Sequence, residues 1–178
     1  MIDWSSSMRR LIVALVALLL ALPMLRPALS GALVTRGDAL LYARNARARE
    51  KYALAFAIDP SNLQAVDRYV FLAFLSRSRA GLEDAVHVAD EALEAHPDDA
   101  ALRMDRGLCL QVLRRFERAE QDFERVGFER GDVQALALAA ADSRKHGDRA
   151  KALRLLRIAH ALDPRYVPVR VALERSRR

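Results

Sequence analysis

The chain has 178 residues, room for one ordinary domain and a short extra segment. Apolar residues make up 52% of it and aromatics only 6%, with Ala and Leu dominant and few Gly or Pro, so long helices are expected and a sheet, which needs alternating β-branched runs, is argued against. The net charge of +6 is modest, dispersed and almost all Arg, which speaks against a nucleic-acid partner, and the single Cys109 can build neither an internal disulfide nor a metal cluster.

The N-terminus carries Arg9 and Arg10, then an uncharged and almost wholly apolar run from Leu11 to Leu25, then Arg26 and Pro27. A positive start before an apolar run is the pattern of a secretory signal, and Ala28-Leu29-Ser30 offers small residues for cleavage before Gly31. The alternative is an uncleaved anchor over residues 11–30. Fifteen residues at about 1.5 Å rise cover about 22 Å, short of the roughly 30 Å hydrocarbon core, but flanking arginines can snorkel to the headgroups. Arg26, so close to the run, is unusual for a cleavage region, and the anchor is the reading preferred. Residues 1–10 then form a short cytoplasmic start. Arg26, Arg36, Arg44, Arg47 and Arg49 follow the segment and pull the other way by positive-inside counting; the signal-like start is weighted more, which puts the remaining chain on the periplasmic side.

Beyond this segment the sequence repeats. Pro60, Pro97 and Pro164 each end an apolar helix, at spacings of 37 and 67 residues, and Gly131-Asp132 fills the missing mid-point stop. Ala48, Ala85, Ala119 and Ala152 lie twelve residues before these stops, Tyr52, Ala89, Phe123 and Leu156 eight before, and Ala55, Ala92, Val126 and Ala159 five before. These positions share one helical face, where small residues allow close approach and the middle one fills the gap. The stretch Ala100–Val126 is the best preserved: a helix with Gly107 midway, a short turn, then a helix opening on Phe116 with Ala119, Phe123 and Val126 on one face.

On these residues the chain resembles the tetratricopeptide repeat (TPR) family, whose signature is a small residue in the first helix, an aromatic and an Ala in the second, and Pro at the end. The resemblance covers residues 31–178 in about four units. The second unit carries about three extra residues around Ser76 to Ala80, and the first runs directly out of the N-terminal segment. It implies an all-α, short right-handed solenoid over residues 31–164, preceded by a single hydrophobic helix and closed by a basic capping helix over residues 165–178. Gly107, Ala119, Phe123 and Ala152 are expected at the packing contacts between helices.

Nothing resembles an active site. His87, His96, His146 and His160 stand in no metal-ligand spacing, and no Gly-rich phosphate loop exists. The acidic pairs Glu83-Asp84 and Asp98-Asp99 read as helix-start residues, not as an acid/base couple. Cys109, among Leu108, Leu110 and Val112, reads as a small buried apolar residue, with a redox or intermolecular disulfide role as the alternative. No cofactor, metal or small-molecule substrate is expected.

The resemblance further implies that the first helix of each unit lines a concave face. That face would include Gln64, Asp67, Phe71, Phe74, Met104, Leu108, Gln111, Ala137, Ala141 and Arg144. The Lys and Asn clamp by which one subfamily grips chaperone C-termini is absent, its places held by Asp67, Phe71, Asp105, Gln134 and Leu138. What remains is a largely apolar groove for a peptide or helix, or else core misread as groove. The function expected is a non-enzymatic, membrane-tethered scaffold, an assembly factor or accessory subunit of a bacterial inner-membrane or envelope complex. A secreted or periplasmic binding module after signal cleavage, and an N-anchored organelle import receptor, are the alternatives.

Overall fold

A computed structural model describes residues 6–41 and 45–176, with backbone only for residues 6, 7, 9, 18–22 and 45. Residues 1–5 of the expected short start, the side chains of Arg9 and of residues 18–22 within the expected anchor, and Arg44, Arg177 and Arg178 therefore lie outside the described residues. The described residues form nine helices, α1 (Ser6–Leu40), α2 (Asn45–Ile58), α3 (Leu63–Ser76), α4 (Arg79–Ala95), α5 (Ala100–Val112), α6 (Phe116–Arg130), α7 (Val133–Lys145), α8 (Arg149–Leu162) and α9 (Val167–Ser176). They fall into two compact units, Met1–Ala65 and Val66–Arg178.

In the first unit, the hydrophobic segment expected as a single preceding helix is not separate from the leading helix of the first repeat, which was expected to run directly out of it. α1 is one helix of 35 residues with Pro23 and Pro27 inside it. It continues because its last turns have a partner. Ser30, Val34 and Gly37 lie one helical turn apart and are buried, as are Ala48, Tyr52 and Ala55 of α2. The Ser30 hydroxyl donates to the Ala55 carbonyl at 2.8 Å and accepts from Asn62 Nδ2 at 2.8 Å. Tyr52 donates to Asp38 at 2.7 Å, and its ring lies where a side chain on Gly37 would stand. Among the described residues no helix is long and apolar enough to cross a membrane.

The second unit is a run of antiparallel helix pairs in which each helix from α4 to α9 packs on the next. First helices also reach the next first helix, through Cys109 of α5 at Val70 of α3 and Gln111 of α5 at Asp142 of α7. Second helices reach the next second helix, through Arg118 of α6 on Asp90 of α4 and Lys151 of α8 on Glu120 of α6. This two-track stacking is how a repeat with one apolar face per helix buries it without a separate core. The packing face holds Ala85, Ala89, Ala119, Phe123, Ala152, Leu156 and Ala159, all buried.

The stops and restarts have local causes. Gly131 takes the left-handed conformation at φ 65° that ends α6, and Asp132 caps α7 by accepting from Ala135 N at 3.0 Å. Asp99 caps α5 and Asp148 caps α8 in the same way, at 2.9 and 2.8 Å. The pair Glu83-Asp84 has a different role from the helix-start one expected. α4 begins at Arg79, so these residues lie a turn inside it; Glu83 pairs with Arg79 at 3.2 Å and Asp84 accepts from the Tyr69 hydroxyl. The extra residues near Ser76–Ala80 lengthen the ends of α3 and α4, and the turn itself is only Arg77 and Ser78.

Candidate functional site

Within the second unit, α3, α5 and α7 share a burial pattern that sets their register: Val70, Gly107 and Ala140 occupy the same place. The residues beside them form three columns, Asp67, Phe71 and Phe74 on α3, Met104, Leu108 and Gln111 on α5, and Ala137, Ala141 and Arg144 on α7. Every one of these is exposed or half-buried, in contrast to the neighbouring rows. Phe71 is 39% exposed, high for a side chain whose burial would be favourable by about 2 kcal/mol. Phe74, Met104 and Leu108 are half-buried beside it, so these four form an apolar strip.

Gln111, expected on the groove, is half-buried and hydrogen-bonded to the next first helix. Its amide nitrogen lies 2.9 and 3.0 Å from the two oxygens of Asp142, which is fully buried. A buried carboxylate without donors would be costly, so Gln111 and Lys145, at 3.0 Å, are held as its partners. Arg144 is exposed and belongs to a separate cavity of about 470 Å³ between α7, α8 and α9, together with Arg149 and Arg175. The small and aromatic packing residues lie elsewhere. Gly107, Ala119 and Phe123 are buried between α5 and α6, and Ala152 forms part of the cavity floor.

Charge is unevenly placed around the strip. Burial, with the charge and hydrogen bond of Asp67 next, pushes the Asp105 carboxyl up to about 7. The pair Asp67 and Asp105 thus carries less than its full negative charge near neutral pH, and the exposed Arg144, Arg149 and Arg175 lie at the α7–α9 end of the unit. Cys109 is buried, and burial with the nearby Asp105 pushes its thiol up to about 12, surroundings that disfavour the thiolate a redox role needs.

Two polar clusters brace the unit behind this face. Arg106 reaches Asp122 of α6 at 2.9 Å through Nε and Asp90 of α4 at 2.6 Å through Nη1. Arg103 stands 3.7 Å from the same Asp122, which is 4% exposed. Burial opposes the Arg106 charge, but the hydrogen bonds and charges of Asp122 and Asp90 outweigh it and raise its pKa. In the second cluster, burial works to raise the Glu120 carboxyl, and hydrogen bonds from Lys151 and His146 outweigh it and hold it below the usual range. The Glu120 bond in turn raises His146 above the ordinary imidazole range. Neither cluster was anticipated from the sequence. The first braces α4, α5 and α6, and the second ties α6 to α8 and to His146 in the turn before it; no group of residues suited to holding a metal occurs among the described residues.

No protein-family model matches the chain, and no curated protein does. Solved structures do. A thermophilic TPR protein of Thermus thermophilus matches at 22% identity over 94% of this chain and 95% of that one, with a TM-score of 0.63. A MamA protein of Desulfovibrio magneticus matches at 15% identity over 83% of this chain and 82% of that one, with a TM-score of 0.71. A tetratricopeptide repeat protein of Parabacteroides merdae matches at 18% identity over 83% and 60%, with a TM-score of 0.69. The fold is therefore TPR-like.

Proposed function

We propose that the chain is a non-enzymatic scaffold that holds a protein partner on the apolar strip of α3 and α5. The exposed Phe71 beside Phe74, Met104 and Leu108 carries this reading, because an aromatic and aliphatic strip on an open helical face is what an apolar peptide or helix needs. The TPR-like likeness agrees with it, by analogy of fold alone.

The same proposal takes the start of α1 as a tether to a bacterial inner membrane, with the repeats on the periplasmic side and a role as assembly factor or accessory subunit of an envelope complex. Leu11, Val13, Leu15, Val16, Met24 and Leu25 are all exposed on α1, a density of apolar surface that lipid would cover. Tethering raises the effective concentration at the membrane, so weak peptide contacts suffice. Signal cleavage before Gly31 fits less well, since it would remove Ser30 from Ala55 and Asn62.

The test is a pull-down with the detergent-solubilised full chain, compared with Phe71→Asp and Leu108→Asp. Loss of the co-purifying protein with helical circular dichroism unchanged supports the strip; capture that survives both substitutions refutes it. A C-terminal alkaline phosphatase fusion that is inactive in cells would refute the periplasmic placement.

A further inference from the structure

The second helices of the unit, α4, α6 and α8, can be compared place by place. Ala85, Ala89 and Ala92 of α4 match Ala119, Phe123 and Val126 of α6 and Ala152, Leu156 and Ala159 of α8, and all are buried. The outward places lie between them. Two places before the middle packing residue stand His87, Gln121 and Arg154; just after it stand Asp90-Glu91, Glu124-Arg125 and Arg157-Ile158; three places after the last stand Ala95, Glu129 and Leu162. In α4 and α6 the charged residues at these places are used within the unit: Asp90 pairs with Arg118, Glu124 with Lys151, and Arg125 with Glu129.

α8 departs from this pattern. Arg157 stands where the other two helices have an acid, Ile158 and Leu162 stand where α6 has its Arg–Glu pair, and the helix contains no Asp or Glu. Arg154, Ile158 and Leu162 fall on one stripe with Arg157 beside it. Ile158 is 40% and Leu162 53% exposed, apolar area that nothing in the unit covers. Lys151 on Glu124, at 3.0 Å, sets α8 against α6 so that Phe128, one turn beyond Glu124 and 56% exposed, lies alongside the stripe. The same mixture continues through Arg165 to Val167, Arg170 and Val171, an exposed stripe of α9. Residues 149–176 hold seven Arg and Lys against two Asp and Glu.

We propose that the outer face of α8 is a contact surface for an anionic phospholipid bilayer, with Phe128, Ile158 and Leu162 entering the acyl boundary and Arg154 and Arg157 reaching the phosphates. Aliphatic side chains set between guanidinium groups fit an interface that is negative at its surface and apolar just beneath it. The arginine stems can lie along apolar surface while their heads stay at phosphate level. A nucleic acid would call for several stacking aromatics, and this face has only Phe128. The reading of α1 as a tether already proposes a bilayer beside the chain, which favours lipid over an acidic protein. The inference goes beyond that reading, and the composition of α8 carries it without the tether or the apolar strip of α3 and α5.

The experiment reconstitutes the full chain with vesicles of phosphatidylcholine, alone or with about one part in three of phosphatidylglycerol. An environment-sensitive fluorophore is attached at Ala161→Cys, an exposed place on the same helix, and in a second sample at His87→Cys on α4; Cys109 is buried and does not compete. Lipid-borne quenchers should quench the probe at Ala161→Cys about threefold more in anionic than in neutral vesicles, and the probe at His87→Cys equally little in both. Arg154→Gln, Arg157→Glu, Ile158→Arg and Leu162→Glu together give α8 the residues that α6 carries at those places, so this variant should keep its helical circular dichroism and lose the anionic excess. Arg154→Gln with Arg157→Gln, a change of two exposed side chains, should lose most of it. Equal quenching at Ala161→Cys in both vesicles, quenching in neither, or an excess that both variants retain overturns the inference. So does a probe already shielded in detergent without lipid, which assigns the face to a second copy or to a co-purifying protein. Flotation with neutral vesicles reports the tether by itself. A chain that floats with them but is not quenched at Ala161→Cys in anionic vesicles keeps the tether and overturns the inference; one that floats only with anionic vesicles, and is quenched there, supports the inference and overturns the tether.

Discussion

Gly107 of α5 lies directly against the ring of Phe123 on α6: a β-carbon at Gly107 would stand 2.6 Å from Phe123 Cε1. The ring is fully buried and has nowhere to retreat. Gly107→Ala gains about 1 kcal/mol in helix propensity and loses about 1–3 kcal/mol to overpacking, so a net loss of about 1 kcal/mol is expected. Gly31→Ala is the control. An added β-carbon there meets nothing within 4 Å, and the helix should gain up to about 1 kcal/mol. Urea unfolding of the two variants checks this. Equal effects of one sign would show that propensity alone decides.

Arg114 adopts φ 62° in the turn between α5 and α6, a left-handed backbone that costs a residue with a β-carbon about 1 kcal/mol or more. Arg114→Gly should therefore stabilise the chain by about 1 kcal/mol, less the extra entropy glycine brings to the unfolded state. Gly131 at φ 65° is the reciprocal case, and Gly131→Ala should lose about 1 kcal/mol. Thermal melts of both, with shifts of a few degrees in opposite directions, are the measurement.

The repeat was legible because it is written in local terms. Small residues and stops recur at fixed offsets, and Gly131-Asp132 reads as a stop and restart without any knowledge of neighbours. The brace of Arg106 on Asp122 was not legible in that way, since charges are everywhere in the chain and only a register says which pair meets. The register was in fact available. Gly107 and Phe123 are sixteen apart, and so are Arg106 and Asp122, and Asp90 and Arg106. The bond from Gln111 to Asp142 was not legible because Asp142 sits on the next repeat, beyond the hairpin that sets the face of Gln111. The cavity beside Arg144 depends on how α9 sits against α8, which no periodicity encodes.

That brace gives a third prediction. Arg106→Met leaves Asp122 buried with only Arg103, 3.7 Å away, and should cost about 3 kcal/mol. The double substitution Arg106→Met with Asp122→Leu removes the stranded charge and should recover most of the loss. Chemical denaturation of the single and double variants measures the coupling. A double variant as unstable as the single one would mean that the arginine acts through packing, not charge.

Asp105 predicts the pH dependence. Burial, with Asp67 beside it, raises its carboxyl to about 7, whereas the unfolded chain titrates near the ordinary aspartate value of about 3.9. Between those values the folded state holds a proton that the unfolded state has lost, so the group's contribution is full below about pH 4 and is lost as pH rises through about 7. Asp105→Asn keeps a donor toward Asp67 and cannot ionise. It should be more stable than the parent at pH 8 by on the order of 2 kcal/mol, after allowing for solvent screening of this half-buried pair. The gap should close toward pH 4. Glu120 and His146 act in both proteins alike, so the difference between the two denaturation curves isolates Asp105. A difference that is constant from pH 4 to pH 8 would show that the carboxyl is ionised throughout.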